Sequence, residues 1–228
     1  MAHGDPVFWS INVVDVPRAK RFFTSLFGWT YSDPGPTGAV RIDGMLGSMH
    51  PSEIRNPAAI WIRTEEMTTI VERVRRAGGS ATDIINTPQG ITSTIVDPGG
   101  VRLALSWGDH EAPPVQASSS DGGLAAWSVE STSPRRSAEF LGELFRWPVR
   151  AVSDDLYVID DRPLRVIIKQ GDSPSDPRLC FSASGPSIYR LIACLGGEVS
   201  LPVTYEDRAI VTARDDQGYV FDLIAKAG

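Results

Sequence analysis

The 228-residue sequence is poor in the residues that most often hold metals or cross-link small domains, with three histidines and two cysteines. Cys180 and Cys194 lie in the second half only. We therefore expect two free thiols, buried as small core residues in a reducing compartment, and no disulfide. We interpret His3, His50 and His110 as exposed surface residues, because their spacing suits neither a catalytic triad nor a metal cluster.

The chain also lacks a long apolar run and an excess of positive charge. No segment approaches the roughly 18 consecutive apolar residues of a membrane-spanning helix. The first residues show no cationic stretch followed by an apolar one, so no secretory signal is predicted. The formal net charge is −6, which disfavours binding to nucleic acid or to an anionic membrane surface. These features predict a soluble, cytoplasmic protein.

The most informative feature present is an internal repeat with a constant offset of 118 residues. Trp9 and Ser10 return as Trp127 and Ser128, and the later Gly-Gly and Asp-turn motifs return at the same distance. We therefore predict a first domain at 1–108, a linker at 109–122 and a second domain at 123–228. The linker is rich in Pro, Ser and Gly, a composition typical of an exposed connection.

Within each half, the hydrophobic pattern predicts a strand, a helix and several strands, followed by the same series again. The first helix is predicted to begin at Asp15 and Pro17 and to end at Gly28. A second helix, from about Met67 to Ala77, is predicted to end at Gly78-Gly79, which supplies a left-handed cap.

Three motifs in this order carry a family resemblance. The first is FFTSLFGW (Phe22–Trp29), which is repeated as FLGELFRW; the second is the helix closed by Gly-Gly. The third is DPGGVRLALSW (Asp97–Trp107), which is repeated as DDQGYVFDLI. Together they resemble the vicinal oxygen chelate superfamily, which includes glyoxalase I, bleomycin-resistance proteins and extradiol dioxygenases. The resemblance implies an α+β fold of two tandem glyoxalase-like domains, each built from two βαβββ units that curve around an open, cup-shaped cavity.

The resemblance also indicates where a metal would be held, because metal-dependent members use His and Glu at three strand positions. Those positions fall on Phe8, Ala59 and Ala104 in the first domain, and on Ala126, Pro177 or Arg178, and Asp222 in the second. The first set offers no metal ligand, and the second offers a single carboxylate. We therefore expect no metal site and no cofactor.

Alternation along the strands predicts which side chains would line the cups. The candidate ligand-binding residues are Phe8, Ser10, Asn12, Trp61, Arg63, Arg102 and Ser128. This mixture suits a flat small molecule that is aromatic, anionic or carbonyl-rich. Trp61 could instead be a core residue, and the two arginines could be solvated or ion-paired. Glu130 and Asp222 make the second cup acidic, and they are candidate catalytic bases unless they are unremarkable carboxylates.

The leading hypothesis is a metal-independent small-molecule-binding protein of the bleomycin-resistance type, which sequesters an antibiotic or a metabolite. The alternative is a metal-free lyase, isomerase or cyclase on the same scaffold, and a glyoxalase- or dioxygenase-type metalloenzyme is a third reading. We expect a monomer whose two domains mimic a dimer, or a homodimer. Because one fold hosts many functions, the sequence leaves the ligand and the reaction open.

Overall fold

A computed structural model describes residues 3–32, 38–52, 59–64, 66–87, 90–108, 114–160 and 163–226. Within these ranges the chain forms four helices and two large mixed sheets, one sheet from each half of the sequence. The predicted α+β fold is confirmed. Part of the predicted linker, 109–113, lies outside the described residues. None of the described helices is long and apolar enough to cross a membrane.

The first half contains two strand–helix–strand series. Its elements are β1 (Pro6–Val13), α1 (Val16–Phe27), β2 (Val40–Arg41), β3 (Gly47–Pro51), β4 (Ala59–Arg63), α2 (Met67–Arg76), β5 (Ser80–Ala81), β6 (Ile85–Thr87), β7 (Gly90–Val96) and β8 (Arg102–Trp107). The strand order in the sheet is β2-β3-β1-β4-β8-β7-β5, and β6 also pairs with β7. Strands β4 and β8 run parallel, whereas β7 is antiparallel to β5, β6 and β8.

The second half repeats this plan. Its elements are β9 (Leu124–Ser131), α3 (Pro134–Phe145), β10 (Arg150–Ser153), β11 (Leu156–Ile159), β12 (Arg165–Gln170), β13 (Arg178–Ser182), α4 (Pro186–Cys194), β14 (Glu198–Val199), β15 (Val203–Tyr205), β16 (Arg208–Arg214) and β17 (Val220–Lys226). The strand order is β10-β11-β12-β9-β13-β17-β16-β14, and β15 also pairs with β16. The parallel pair β13–β17 corresponds to β4–β8.

Local sequence signals account for the helix ends. The Asp15 side chain accepts a hydrogen bond from the Arg18 backbone N–H, and α1 ends at Gly28 with a φ of 71°. The equivalent residue after α3 is Arg146, which adopts the same left-handed conformation with a φ of 56°. Both predicted termini of α1 are therefore confirmed, and the second half places a side chain where the first half has glycine.

The Gly-Gly pair after α2 serves two different purposes. Gly78 adopts a left-handed φ of 83°, as predicted. Gly79 is required for packing, because a Cβ atom there would lie 2.7 Å from the Val96 carbonyl oxygen and 3.0 Å from the Phe140 ring. The pair Gly196-Gly197 repeats the arrangement after α4, since a Cβ at Gly197 would lie 2.4 Å from the Arg214 carbonyl oxygen.

The repeat is not in one register throughout. Trp61 is the partner of Ala104 in β4–β8, whereas Cys180 is the partner of Asp222 in β13–β17. Ala104 and Asp222 are 118 residues apart, but Trp61 and Cys180 are 119 apart. The offset returns to 118 at the end of α4, which is one residue shorter than α2. Arg178, rather than Pro177, is therefore the equivalent of Ala59.

The chain forms two compact units, and neither of them is one half of the sequence. Unit 1 comprises Met1–Trp9, Ala59–Val115 and Trp127–Pro177; unit 2 comprises Ser10–Ala58, Gln116–Ala126 and Arg178–Gly228. Each unit therefore combines one βαβββ series from each half.

In unit 2, helix α1 of the first half packs against strands β13 and β17 of the second half. Phe23 is fully buried, and its ring centroid lies 5.6 Å from that of Phe221 and 4.9 Å from that of Trp29. Phe27 lies 5.5 Å from Phe181 between ring centroids. The Trp29 indole N–H donates to the Gly122 carbonyl at 3.0 Å.

Unit 1 shows the reciprocal arrangement. Helix α3 of the second half lies beside α2, where an Arg73 guanidinium N–H donates to the Glu143 carbonyl at 3.0 Å. The turn at Asp97–Gly100 lies against the first turn of α3, because a Cβ at Gly99 would lie 2.3 Å from the hydroxyl oxygens of both Ser131 and Ser137.

The four recurring tryptophans are core residues, as predicted. Trp9, Trp29, Trp127 and Trp147 are between 0% and 5% exposed. The two cysteines are free, as predicted, and Cys180 is buried. Cys194 is exposed, so the prediction that it is a core residue is wrong. It lies in the last turn of α4, outside that helix's buried stripe of Ile188 and Ile192.

Candidate functional site

In unit 1, one face of the β4–β8–β7 sheet gathers three of the predicted ligand-binding residues. Ile60 and Ile62 are buried on the opposite face of β4, whereas Trp61 and Arg63 are half-buried on this one. On β8, Arg102 is exposed on the same face.

The register of the sheet places a small side chain beside the Trp61 indole. Trp61 is the Cα partner of Ala104, and Ala104 is the partner of Thr94 on β7. Both of these neighbours are half-buried. Partners on adjacent strands project to the same side. The Trp61 indole is therefore followed along the row by two small side chains, those of Ala104 and Thr94.

The remaining candidates of the first half lie on β1. Phe8 and Asn12 are half-buried, and Ser10 is 7% exposed. They alternate with Trp9 and Ile11, which are at most 1% exposed. The alternation agrees with the pattern from which these candidates were chosen. Phe8 belongs to unit 1, whereas Ser10 and Asn12 belong to unit 2.

In unit 2, the corresponding face of the second sheet has a different chemistry. The row Trp61–Ala104–Thr94 is replaced by Cys180–Asp222–Thr212. Asp222 is fully buried, and its carboxylate accepts a hydrogen bond of 2.8 Å from the Thr212 hydroxyl. The Cys180 thiol lies 3.9 Å from the other carboxylate oxygen. Ser128, the candidate on β9, belongs to unit 1 and is 1% exposed.

Glu130 and Asp222, the two carboxylates of the predicted acidic cup, belong to different compact units. In unit 1, the Lys169 ammonium lies 3.6 Å from the Glu130 carboxylate. In unit 2, Arg178 is on the same face of β13 as Cys180, the partner of Asp222. Glu130 thus has a cationic partner on β12, which neighbours its own strand β9. The sequence interpretation missed Lys169 because it did not assign β12 as a strand.

Burial perturbs three titratable residues in and beside the two Asp turns. Burial raises the pKa of Asp97, although hydrogen bonds from Ser137 and from the backbone of Val101 act in the opposite direction. Burial likewise raises the pKa of Asp215, the equivalent turn residue, and that of Tyr219 well above its normal value. The two aspartates hold turns through backbone hydrogen bonds, to Val101 and to Tyr219. These shifts therefore have a structural origin.

The expectation of exposed histidines is wrong for the two histidines that the structure describes. His3 is half-buried, with its ring centroid 5.6 Å from that of Phe145 and its Nε2 3.3 Å from the Leu144 carbonyl oxygen. His50 is half-buried with its Nε2 2.6 Å from the Ser48 hydroxyl, and burial lowers its pKa. His110 lies outside the described residues.

Comparison with solved structures identifies the fold. A Mn(II)-bound glyoxalase from Novosphingobium aromaticivorans superposes with a TM-score of 0.70 over 100% of this chain and 83% of its own, at 11% identity. The 2,3-dioxygenase LapB from Pseudomonas sp. KL28 superposes with a TM-score of 0.68 over 99% of this chain and 93% of its own, at 12% identity. The chain has the vicinal oxygen chelate fold. The predicted resemblance is confirmed at this level.

Curated proteins match part of the chain. No family model matches it. CFP32 of Mycobacterium tuberculosis, a protein provisionally named as a glyoxylase, is 31% identical over 119 residues, 45% of each chain. The anthracycline biosynthesis protein DauV of Streptomyces sp. is 30% identical over 132 residues, 46% of this chain and 47% of its own. The chain thus matches less than half the length of these relatives.

The donor set of this chain does not fit the divalent metal that the fold implies. The Phe8 and Ala104 side chains have no donor atom, and position 59 is also an alanine. In the second half, Ala126 and Arg178 cannot coordinate a cation, and Asp222 is held by Thr212. The described part of the chain contains no group of three or more His, Cys, Asp or Glu residues placed to hold a metal.

Proposed function

We propose that this protein binds a flat, oxygen-rich small molecule, without a metal ion, on the sheet face that carries Trp61. One observation carries the proposal: Ala104, at a position where metal-dependent members have a ligand, is the direct partner of the half-buried Trp61. A methyl group at that position removes the metal ligand and leaves the edge of the indole accessible. Sequestration of the bleomycin-resistance type would use such a face.

The residues around Trp61 suit this ligand class. An indole stacks on flat rings, and Arg63 and Arg102 lie on the rows at either side of the Trp61–Ala104 row. A guanidinium group carries five N–H donors, so an arginine with a partner inside the protein can still donate to a ligand carboxylate or carbonyl. The site is accordingly selective for aromatic molecules with anionic or carbonyl oxygens.

We assign the working site to the first half because two of the equivalent residues of the second half are buried and a third has an ion-pair partner. Asp222 and Ser128 are at most 1% exposed, and the Glu130 carboxylate is paired with Lys169. The buried side chains are therefore less available to a ligand than Trp61, which is half-buried.

A second candidate function is a metal-free lyase, isomerase or cyclase in small-molecule biosynthesis. The similarity to anthracycline biosynthesis proteins favours it. In that case Glu130 or Asp222 is the candidate general base. Loss of turnover in Asp222→Asn and Glu130→Gln, with ligand affinity unchanged, would support this candidate over simple binding.

The experiment is isothermal titration calorimetry with anthraquinone-2-carboxylate, an aromatic acid with two ring carbonyls. We expect Trp61→Ala to weaken binding about tenfold, since loss of an aromatic stacking partner removes roughly 1 kcal/mol or more. Trp107→Ala is the matched control, because Trp107 is also partly exposed on β8 but alternates to the opposite face. Equal affinities for wild type and Trp61→Ala would contradict the proposal.

A further inference from the structure

A single row of side chains crosses four strands beside Trp61. Arg63 on β4 is the Cα partner of Ser106 on β8, Ser106 is the partner of Thr92 on β7, and Thr92 is the partner of Ile85 on β6. Partners on neighbouring strands project to the same side of a sheet. Three intervals of about 4.8 Å make the row about 14 Å long.

The chemistry of this row changes from one end to the other. It begins with the guanidinium of Arg63, continues with the hydroxyls of Ser106 and Thr92, and ends with Ile85. Ser106 is 5% exposed and forms the floor, whereas Ile85 is 55% exposed. A ligand lying along the row would meet hydrogen-bond donors at one end and an uncovered apolar side chain at the other.

The repeat supplies an internal comparison. The corresponding row of the second half is Ser182–Ile224–Ile210–Val203. Its apolar end is retained, since Val203 is 67% exposed, but its basic end and its hydroxyl floor are absent. Of these two rows, the one in the first half therefore has a cationic side chain at one end and an exposed apolar side chain at the other.

We propose that the ligand of the first half is a molecule of several fused rings, with its acidic or carbonyl end at Arg63 and its apolar end on Ile85. This inference rests on the proposed function, because it concerns the same sheet face. A single aromatic ring is too short to contact both ends of the row, whereas a fused ring system lies along it and still reaches Trp61 on the adjacent row. The site thus selects its ligand by length and by polarity.

Calorimetry with three acids of increasing size tests the inference: benzoate, naphthalene-2-carboxylate and anthraquinone-2-carboxylate. We expect wild-type affinity to rise with the number of rings. Ile85→Ser should weaken the three-ring acid about tenfold, as the loss of a few apolar carbons does in a ligand pocket, and leave benzoate unchanged. Ile85→Leu should keep wild-type affinity, and circular dichroism should show that all variants are folded.

Val203→Ser is the matched control, because it makes the same type of change at the equivalent position of the second half. Affinity that depends on Trp61 but not on ring number or on Ile85 would overturn the inference and leave the proposed function standing. Failure of all three acids to bind wild type would overturn both. A loss in Val203→Ser without a loss in Ile85→Ser would place the site in the second half and overturn the assignment.

Discussion

Replacement of Phe23 by alanine is a demanding test of how the two halves pack. Phe23 belongs to the first half, yet its ring centroid lies 5.6 Å from that of Phe221 and 6.3 Å from that of Tyr219, both in the second half. Its side chain is fully buried. The substitution therefore removes a ring from a cluster of five other aromatic side chains, which are Phe22, Phe27, Trp29, Tyr219 and Phe221.

The expected cost follows from burial and packing. Truncation of a buried phenylalanine to alanine lowers the free energy of unfolding by about 3–5 kcal/mol, because the apolar contacts are lost and a cavity remains. Aromatic pairs add about 0.5–1.5 kcal/mol each beyond their buried area, so we expect the upper part of that range. With a guanidinium m-value of about 5 kcal/mol per molar, the midpoint of unfolding should fall by roughly 1 M.

The assay is guanidinium unfolding followed by tryptophan fluorescence and by far-ultraviolet circular dichroism. Phe27→Ala is the matched control on the same helix, because Phe27 is only half-buried and should cost less. If Phe23→Ala shifts the midpoint by less than Phe27→Ala, the packing of α1 against the second-half strands is not the stabilising contact inferred here.

Three further outcomes are expected. Because Phe8, Ala59 and Ala104 cannot coordinate, a strong chelator should leave the melting temperature unchanged; a fall of several degrees, reversed by zinc or iron, would show a metal bound to the native state. Burial raises the pKa of Asp97, so the folded protein favours the protonated carboxyl group. This contribution to the free energy of unfolding is lost as the pH rises above the normal aspartate pKa of about 3.9. The free energy of unfolding of Asp97→Asn should therefore rise relative to that of wild type as the pH increases from acid to neutral. A difference between the two proteins that does not change with pH would contradict this. Arg146→Gly should raise the free energy of unfolding by up to about 1 kcal/mol, because Arg146 has a φ of 56° that glycine adopts without strain; the control is Gly28→Ala at the equivalent position, which should be destabilising.

Much of the fold could be predicted from local signals. Asp15 and Gly28 mark the ends of α1 because capping is decided by a few neighbouring atoms. The side of each strand that faces a core follows from alternation, so Ile60 and Ile62 could be separated from Trp61 and Arg63.

The pairing of helix and sheet could not be predicted in this way. The apolar stripe of α1 shows that one face of the helix is buried against a sheet. It does not show which sheet, because the two halves are copies and both sheets offer a similar apolar face. Phe23 packs against Phe221 of the other copy, and nothing within its own segment specifies that choice. The one-residue change of offset at Arg178 was also not apparent from the sequence. Because α4 is one residue shorter than α2, the offset of 118 is restored within about twenty residues.

Alternation predicted which side chains share a face of a sheet, but it did not predict which charged side chains lie close together. Trp61, Arg63 and Arg102 share one face of the first sheet, as alternation requires. Glu130 was considered without Lys169, which lies 39 positions further along the chain and reaches it only through sheet pairing. Contacts between distant strands depend on register, and register is the property that a single sequence specifies least.

The exchange of helices between the halves has a consequence for cutting and reassembling the chain. A fragment ending at residue 108 would carry α1 without β13 and β17, and would expose Phe23 and Phe27 to water. A fragment beginning at residue 123 would hold the complementary strands. Mixed together, the two pieces should restore each other by fragment complementation, whereas each piece alone should aggregate or pair with itself. By the same logic, a linker shortened until α1 cannot reach its strands should make two chains trade helices and form a swapped dimer.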